Sequence, residues 1–439
     1  MNLYKLIAFI SLFTFTLNAQ MNKIEFTEFT LDNGLHVILH KDSSNPIVAI
    51  SIMYHVGSKN ENPERTGMAH FFEHLLFEGS ENIARGEFFN YIQNAGGINN
   101  AYTSNDKTFY FELFPSNQLE LGLWLESERL LHAKVEKIGI ETQREVVKEE
   151  KRLRVDNQPY GTMLEELMKR AYEKHPYKWQ VIGSMDHINN ATEEEFMDFY
   201  KTFYVPNNAV LSIAGDINIE ECRNLVNDYF AEIPRGKKEI PRPKIIEPKK
   251  ELEIRDTIYD DIQLPAIIHG FHIPAQGTDD FYAVDMLNKL LSNGASSRLN
   301  KSLVEESQKA VYSAAFTFNL EDPGMTIAFA MANSEENPKD IENLMDLEYE
   351  KVKTDLISKN EFQKLINQIE NDFIQSNYRM YDIAENLANY HTFYGNANLI
   401  NTEIEKYLSV TREDILNAAK KYYNKENRVT LYFLPKENN

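Results

Sequence analysis

A chain of 439 residues with 42% hydrophobic and 12% aromatic side chains can fill two or three domain cores, which excludes a disordered or fibrous polypeptide. Its formal net charge of −21 argues against nucleic acid and anionic lipid as partners, since both would be repelled at long range. The same charge serves solubility or attracts basic peptides, and the single cysteine, Cys222, cannot close an internal disulfide.

In chain order, the first twenty residues, MNLYKLIAFISLFTFTLNAQ, carry Lys5, an apolar run from Leu6 to Leu17 and the small residue Ala19. This is the pattern of a secretory signal peptide over residues 1–19, with no cysteine at the exit for lipid attachment. The run is too short to cross a bilayer, and no later segment approaches the ~20 apolar residues of a membrane span. The expected address is a bacterial periplasm, with extracellular release as the alternative.

Alternating strands are expected over 35–40 and 47–54. GMAHFFEHLLFEGS, residues 67–80, then places two histidines four apart with a glutamate just before the second. On a helical wheel at about 100° per residue, His70, Glu73 and His74 share an arc of roughly 100°, opposite Met68, Phe71, Phe72, Leu75 and Leu76. A core role would put the histidines among the aromatics. A plain surface role leaves Phe77 and the lack of Lys or Arg on that face unexplained. Imidazoles at i and i+4 can aim at one Zn²⁺ while the carboxylate reaches a water beside it, the H-x-x-E-H order.

A strand over 107–113 and a helix over 119–134 follow. A catalytic zinc takes three protein ligands, and the next helix, expected over 141–155, offers a third. Val146, Val147 and Leu153 mark its apolar face, and Glu150 falls near the centre of that face. A buried carboxylate needs a partner, either a metal or a buried arginine.

The proline-rich, basic stretch 232–252 reads as a linker, neither helix nor central strand. It separates a metal-bearing half, 20–231, from a second half, 253–439, with strands expected over 263–271 and 311–318 and helices over 281–292 and 360–376. TEEEFMDFYKTFYVPNNAVLSI, from Thr192, aligns without a gap with TREDILNAAKKYYNKENRVTLY, from Thr411, pairing Tyr204 with Tyr423 and Asn208 with Asn427. The expected fold is therefore α+β in two homologous halves, each a mainly antiparallel sheet packed with helices.

These residues resemble the pitrilysin or insulinase family of zinc peptidases, which includes the mitochondrial processing peptidases, over nearly all of the mature chain. The resemblance implies one Zn²⁺ per chain on His70, His74 and Glu150, with Glu73 as general base. It also implies that Asn100 and Ala101, in GGINNAYTSNDKTFY, receive a peptide as an added strand. DMLNK, residues 285–289, aligned with HFFEH in the second half, has no zinc ligands. Two departures stand out. Gln143 replaces a second glutamate seven residues before Glu150, and Glu305 stands where an arginine seven before the catalytic Tyr312 is expected. Arg298 is out of spacing and is assigned to structure. The expectation is a zinc endopeptidase acting on peptides or unfolded segments, as a heterodimer with a related subunit that supplies Arg and Tyr, or as a homodimer. A non-catalytic zinc-binding subunit and a metal-storage protein are the rivals.

Overall fold

The computed structural model describes residues 23–436, so the expected signal segment 1–19 lies outside the described residues. The first half forms a six-stranded sheet in the order β1-β2-β6-β3-β5-β4. Its strands are β1 (Thr27–Thr30), β2 (His36–Lys41), β3 (Ile47–Tyr54), β4 (Ile98–Thr103), β5 (Thr108–Pro115) and β6 (Ala209–Gly215). The second half forms a five-stranded sheet, β7-β11-β8-β10-β9, from β7 (Ile254–Asp260), β8 (Ala266–His272), β9 (Ala310–Phe318), β10 (Met325–Ala332) and β11 (Arg428–Pro435). All ladders are antiparallel except β2 with β6 and β7 with β11. This is the α+β arrangement expected from the sequence, and β3 spans the residues read as a strand.

Among the helices are α1 (Met68–Leu75), α2 (Leu119–Leu131), α3 (Lys137–Lys151), α4 (Met163–Ala171), α5 (Glu193–Phe203), α6 (Asp279–Ser292), α7 (Lys359–Gln375), α8 (Met380–Tyr394) and α9 (Arg412–Tyr422). The repeat read from Thr192 and Thr411 is visible atom by atom. Each threonine caps its helix, Thr192 Oγ1 accepting from Glu195 N and Thr411 Oγ1 from Asp414 N. Asn208 Nδ2 then donates to Phe203 O at 2.8 Å and to His55 O at 3.3 Å. Asn427 does the same to Tyr422 O at 2.9 Å and His272 O at 2.8 Å. The two asparagines tie corresponding helix ends to corresponding strands.

Both faces of the central strands are apolar, so each sheet needs cover on two sides. On β3, Val48, Ile50, Ile52 and Tyr54 pack with α1 and α5, while Ala49 and Met53 face the other way. That other face is closed by α8, whose Ile383, Ala384, Leu387 and Ala388 meet Ile38, Met53 and Phe109. Reciprocally, α4 sends Leu167, Met168 and Ala171 onto the second sheet against Ile268, Ile327 and Leu431. Each half thus lends a helix to the other. Burying one such Leu or Ile contributes ~1.5–3 kcal/mol, so the exchange locks the halves together. Residues 232–253 contain neither helix nor strand, yet are held: Glu247 accepts backbone N–H bonds from Glu173, Lys174 and His175.

A polar joint completes the contact. Buried Lys59 Nζ lies 2.9 Å from Asp106, 2.5 Å from Glu321 and 3.1 Å from Asp322, and His55 Nε2 lies 2.9 Å from Glu321. Burial alone would raise the Glu321 carboxyl, but His55 and Lys59 together hold it down at about 2. A depressed folded-state value gives stability that is present above the unfolded value of ~4.5 and is lost as pH falls toward 2. The expected result is that the stability difference between the native chain and Glu321→Gln, measured by urea unfolding, shrinks over that window. A difference independent of pH there would contradict the joint's electrostatic role.

Candidate metal centre

Gly67, at φ 94°, opens α1, and a Cβ there would stand 2.8 Å from Ile182 O, so only glycine fits this entry turn. The Glu61 carboxylate accepts the Gly67 and Ala69 N–H groups, both at 2.9 Å, capping the helix in place of a local side chain. Met68, Phe71, Phe72 and Leu75 enter the core, with the Phe72 ring stacked on Phe199 and Tyr200. That packing turns His70, Glu73 and His74 toward α3, as the wheel required.

Glu150 meets them there. Its Oε2 lies 3.1 Å from His74 Nε2 and 3.5 Å from His70 Nε2, yet is buried without a hydrogen-bond donor. One ligand atom from each of the three residues lies within 4.8 Å of the others. The edge of a tetrahedron around zinc, with bonds of ~2.0–2.1 Å, is ~3.3 Å, so the spacing and the orphaned oxygen both fit a zinc ion. Burial, then the His74 charge, pushes His70 down to about 4. The close His74 ring, with His70 and Arg154 nearby, holds the Glu150 carboxyl below its ordinary value against its burial. A neutral imidazole and an ionised carboxylate are the ligating forms.

Glu150 does not lie at the centre of a buried face of α3, as expected from the sequence. Val146 and Leu153, read as part of the buried face, are 43% and 56% exposed. The buried row of α3 is Ile140, Arg144 and Val147, so Glu150 sits at the edge of that face, beside α1, and not at its centre. The helix also starts earlier than expected, at Lys137, and passes after Lys151 into a π-helical turn, Arg152–Asp156. That turn brings Arg154 Nη1 2.7 Å from Glu150 Oε1, leaving Oε2 to the histidines. Gln143, one row back, donates to Glu78, which also binds Arg85.

Glu73 is pushed above its ordinary value by burial, against the Thr103 hydrogen bond. Thr103 Oγ1 donates to Glu73 Oε2 at 2.7 Å. This threonine ends β4, the edge strand that also carries Asn100 and Ala101, paired with Phe111 and Tyr110 of β5. Among the described residues the other edge of β4 pairs with no strand. Thr103 and Arg154 escaped the sequence reading, since nothing in their spacing points to these contacts. Thr103→Val keeps shape but removes the donor. A hydrogen bond to a charged group is worth ~1.5–3 kcal/mol, so any turnover should fall ~10–100-fold through kcat, with zinc content unchanged. A matching loss of zinc would mean that Thr103 supports the ligands and does not position Glu73.

In the second half the corresponding place holds an ion pair. Asp372 lies as far into α7 as Glu150 into α3, and accepts Lys289 Nζ at 2.7 Å. Thr317 Oγ1 donates to Asp285 at 3.2 Å. These residues border a cavity of about 380 Å³, in which an ammonium group stands where the first half gathers ligands. Tyr312 is on β9, the edge of the second sheet, 54% exposed. Among the described residues it shares no hydrogen bond or ring contact with His70, Glu73, His74 or Glu150. Glu305 lies in a π-helical turn, Asn300–Glu306, and Arg298 pairs with Glu361 at 3.0 Å, a structural contact.

Two family models match the chain. Residues 36–184 match the family described as Insulinase (Peptidase family M16), and residues 190–369 match the Peptidase M16 inactive domain. The chain is 30% identical to "Zinc protease PqqE" of Helicobacter pylori over 98% of both chains. It is 24% identical to the "Probable mitochondrial-processing peptidase subunit beta" of Schizosaccharomyces pombe, over 67% of each chain. The crystal structure of a protease from Helicobacter pylori superposes with a TM-score of 0.90 at 29% identity, over 94% of this chain and all of that one. The periplasmic protease PqqL of Escherichia coli shares the fold, with a TM-score of 0.77 at 19% identity, over 94% of this chain but 48% of that longer one.

Proposed function

The chain belongs to the insulinase family of peptidases, M16, and from that premise we propose that it is an exported zinc endopeptidase hydrolysing peptides or unfolded segments. The observation that carries this reading is the convergence of His70 Nε2, His74 Nε2 and the donor-less Glu150 Oε2, with Glu73 on the same face of α1. Bound to those three atoms, zinc supplies a Lewis acid for carbonyl polarisation and water activation. The chain's own residues do the rest. A substrate added along β4 places its carbonyl beside α1, through Asn100 and Ala101. Glu73, held by Thr103 through Oε2, takes the proton of the attacking water on Oε1 and passes it to the leaving amine nitrogen. The alternative of a non-catalytic subunit gains little from the inactive-domain match, since that match covers residues 190–369 and not the ligands. The signal-like leader supports a periplasmic address.

Tyr312 as the oxyanion partner needs an arginine that Glu305 replaces, which supports completion of the centre by a related subunit. A single oxyanion donor is worth ~10²–10³ in kcat. Zinc quantification with a mixed-peptide cleavage assay, on the chain alone and with a zinc-motif-less relative from the same organism, tests both parts. Slow cleavage alone, raised ~10²–10³ by the partner, is expected. Full-rate cleavage by the single chain removes the two-subunit part. Zinc binding without cleavage in any combination removes the peptidase reading.

A further inference from the structure

The exchange of helices creates a second meeting of ligating side chains, at the seam where α8 crosses the first sheet. Glu28 comes from β1, His36 from β2 and His391 from α8, and one ligand atom of each lies within 4.8 Å of the others. His36 Nε2 is 3.1 Å and His391 Nδ1 3.9 Å from Glu28 Oε2. On its other side, His36 Nδ1 is 2.9 Å from Thr30 Oγ1, which fixes the ring and lets Nε2 carry the lone pair.

We propose that Glu28, His36 and His391 form a second divalent-metal site, which takes a zinc-class ion and clasps α8 onto the first sheet. A plain ion pair is the ordinary reading of such a cluster, but it requires a charged imidazole. The two rings are stacked, 3.4 Å between centroids and 10° from parallel, so both cannot be charged without setting two cations against each other at contact distance. Among the described residues, Glu28 has no ion-pair partner except these two rings. A divalent cation would join all three groups at once. Two imidazoles and a carboxylate select zinc, copper or nickel over magnesium and calcium. Binding requires the stacked rings to fan apart so that both lone pairs converge. The site keeps one face open and draws on both halves of the sequence, so occupancy fastens α8 to β1 and β2. This inference does not depend on the peptidase reading.

Equilibrium dialysis of the full chain against micromolar zinc, in millimolar magnesium, tests it. The native chain is expected to bind two zinc ions, and His391→Ala and His74→Ala one each. Glu28→Gln changes an exposed side chain that leaves the core intact, and should also bind one. The second ion should be weakened more than ~100-fold by His391→Ala, beyond the loss expected for an outer partner of a ligand. In His74→Ala, zinc should slow hydrogen exchange across residues 380–394, and in His74→Ala with His391→Ala it should not. His74→Ala binding no zinc, or His391→Ala and Glu28→Gln binding as many ions as the native chain, overturns the site. Unchanged exchange in α8 on zinc addition overturns the clasp.

Discussion

Glu73→Gln is expected to bind zinc as the native chain does and to lose ~10²–10⁴-fold or more in peptide turnover, the usual range for removing a general base. The substitution is close to isosteric. The amide oxygen it introduces can still accept from Thr103 Oγ1, which lies 2.7 Å from Glu73 Oε2 in the native chain, so the side chain keeps its place on α1. What disappears is the ability to take a proton. The carboxyl is held above its ordinary value by burial, which moves its basicity toward the pH at which a proton must be taken and returned. Zinc content and the urea midpoint of the variant separate this effect from damage to the ligands or the fold. If both are native and cleavage persists at an undiminished rate, another group is the base and the proton path through Glu73 is wrong.

The difference between what could and could not be read in advance follows from the range of the interactions. The α1 face was legible because its residues are neighbours on one helix and obey one period. The strand β3 and the duplicated caps at Thr192 and Thr411 were legible for the same local reason. Glu150 was reached by a flawed route: the wheel of α3 weighed Val146 and Leu153 as buried, and only the packing against α1 shows that they face solvent. The exchange of α4 and α8 between halves was not legible, because apolar residues such as Leu387 report that they are buried but not on which sheet. The cluster of Glu28, His36 and His391 joins residues more than three hundred positions apart, which no spacing rule detects. In the second half, among the described residues, Lys289 pairs with Asp372 where the first half gathers its ligands. A lysine can supply positive charge at that place without a cofactor, and the repeat can then keep its shape while losing the chemistry.

Arg129→Met should destabilise the chain by ~3–5 kcal/mol, the cost of removing one partner from a buried ionic group. The Arg129 side chain is fully buried, with Nη2 3.2 Å from Glu112 and Nε 3.1 Å from Glu126. Its guanidinium carbon lies 4.4 Å from the Phe77 ring, 4.6 Å from Phe88 and 4.2 Å from Tyr110. One cation faces two carboxyls, and burial, then the Glu126 charge, pushes Glu112 well above its ordinary value. Without the guanidinium, both carboxyls lose the cation they face in the core. The damage extends to the candidate centre, because Arg129 Nη1 donates to Leu76 O at 3.4 Å and Tyr110 Oη to Phe72 O at 3.0 Å, two of the bonds that seat α1. Zinc affinity should therefore fall together with the urea midpoint. Replacing all three charged groups, as Arg129→Met with Glu112→Leu and Glu126→Leu, should recover most of the stability, since apolar groups of similar volume can replace a buried ionic group at little or no cost. If the single variant costs under ~1 kcal/mol, Arg129 is not what keeps the two carboxyls tolerable. If the triple variant stays as unstable as the single one, the rings and backbone bonds around the guanidinium, and not its charge, hold α1 in place.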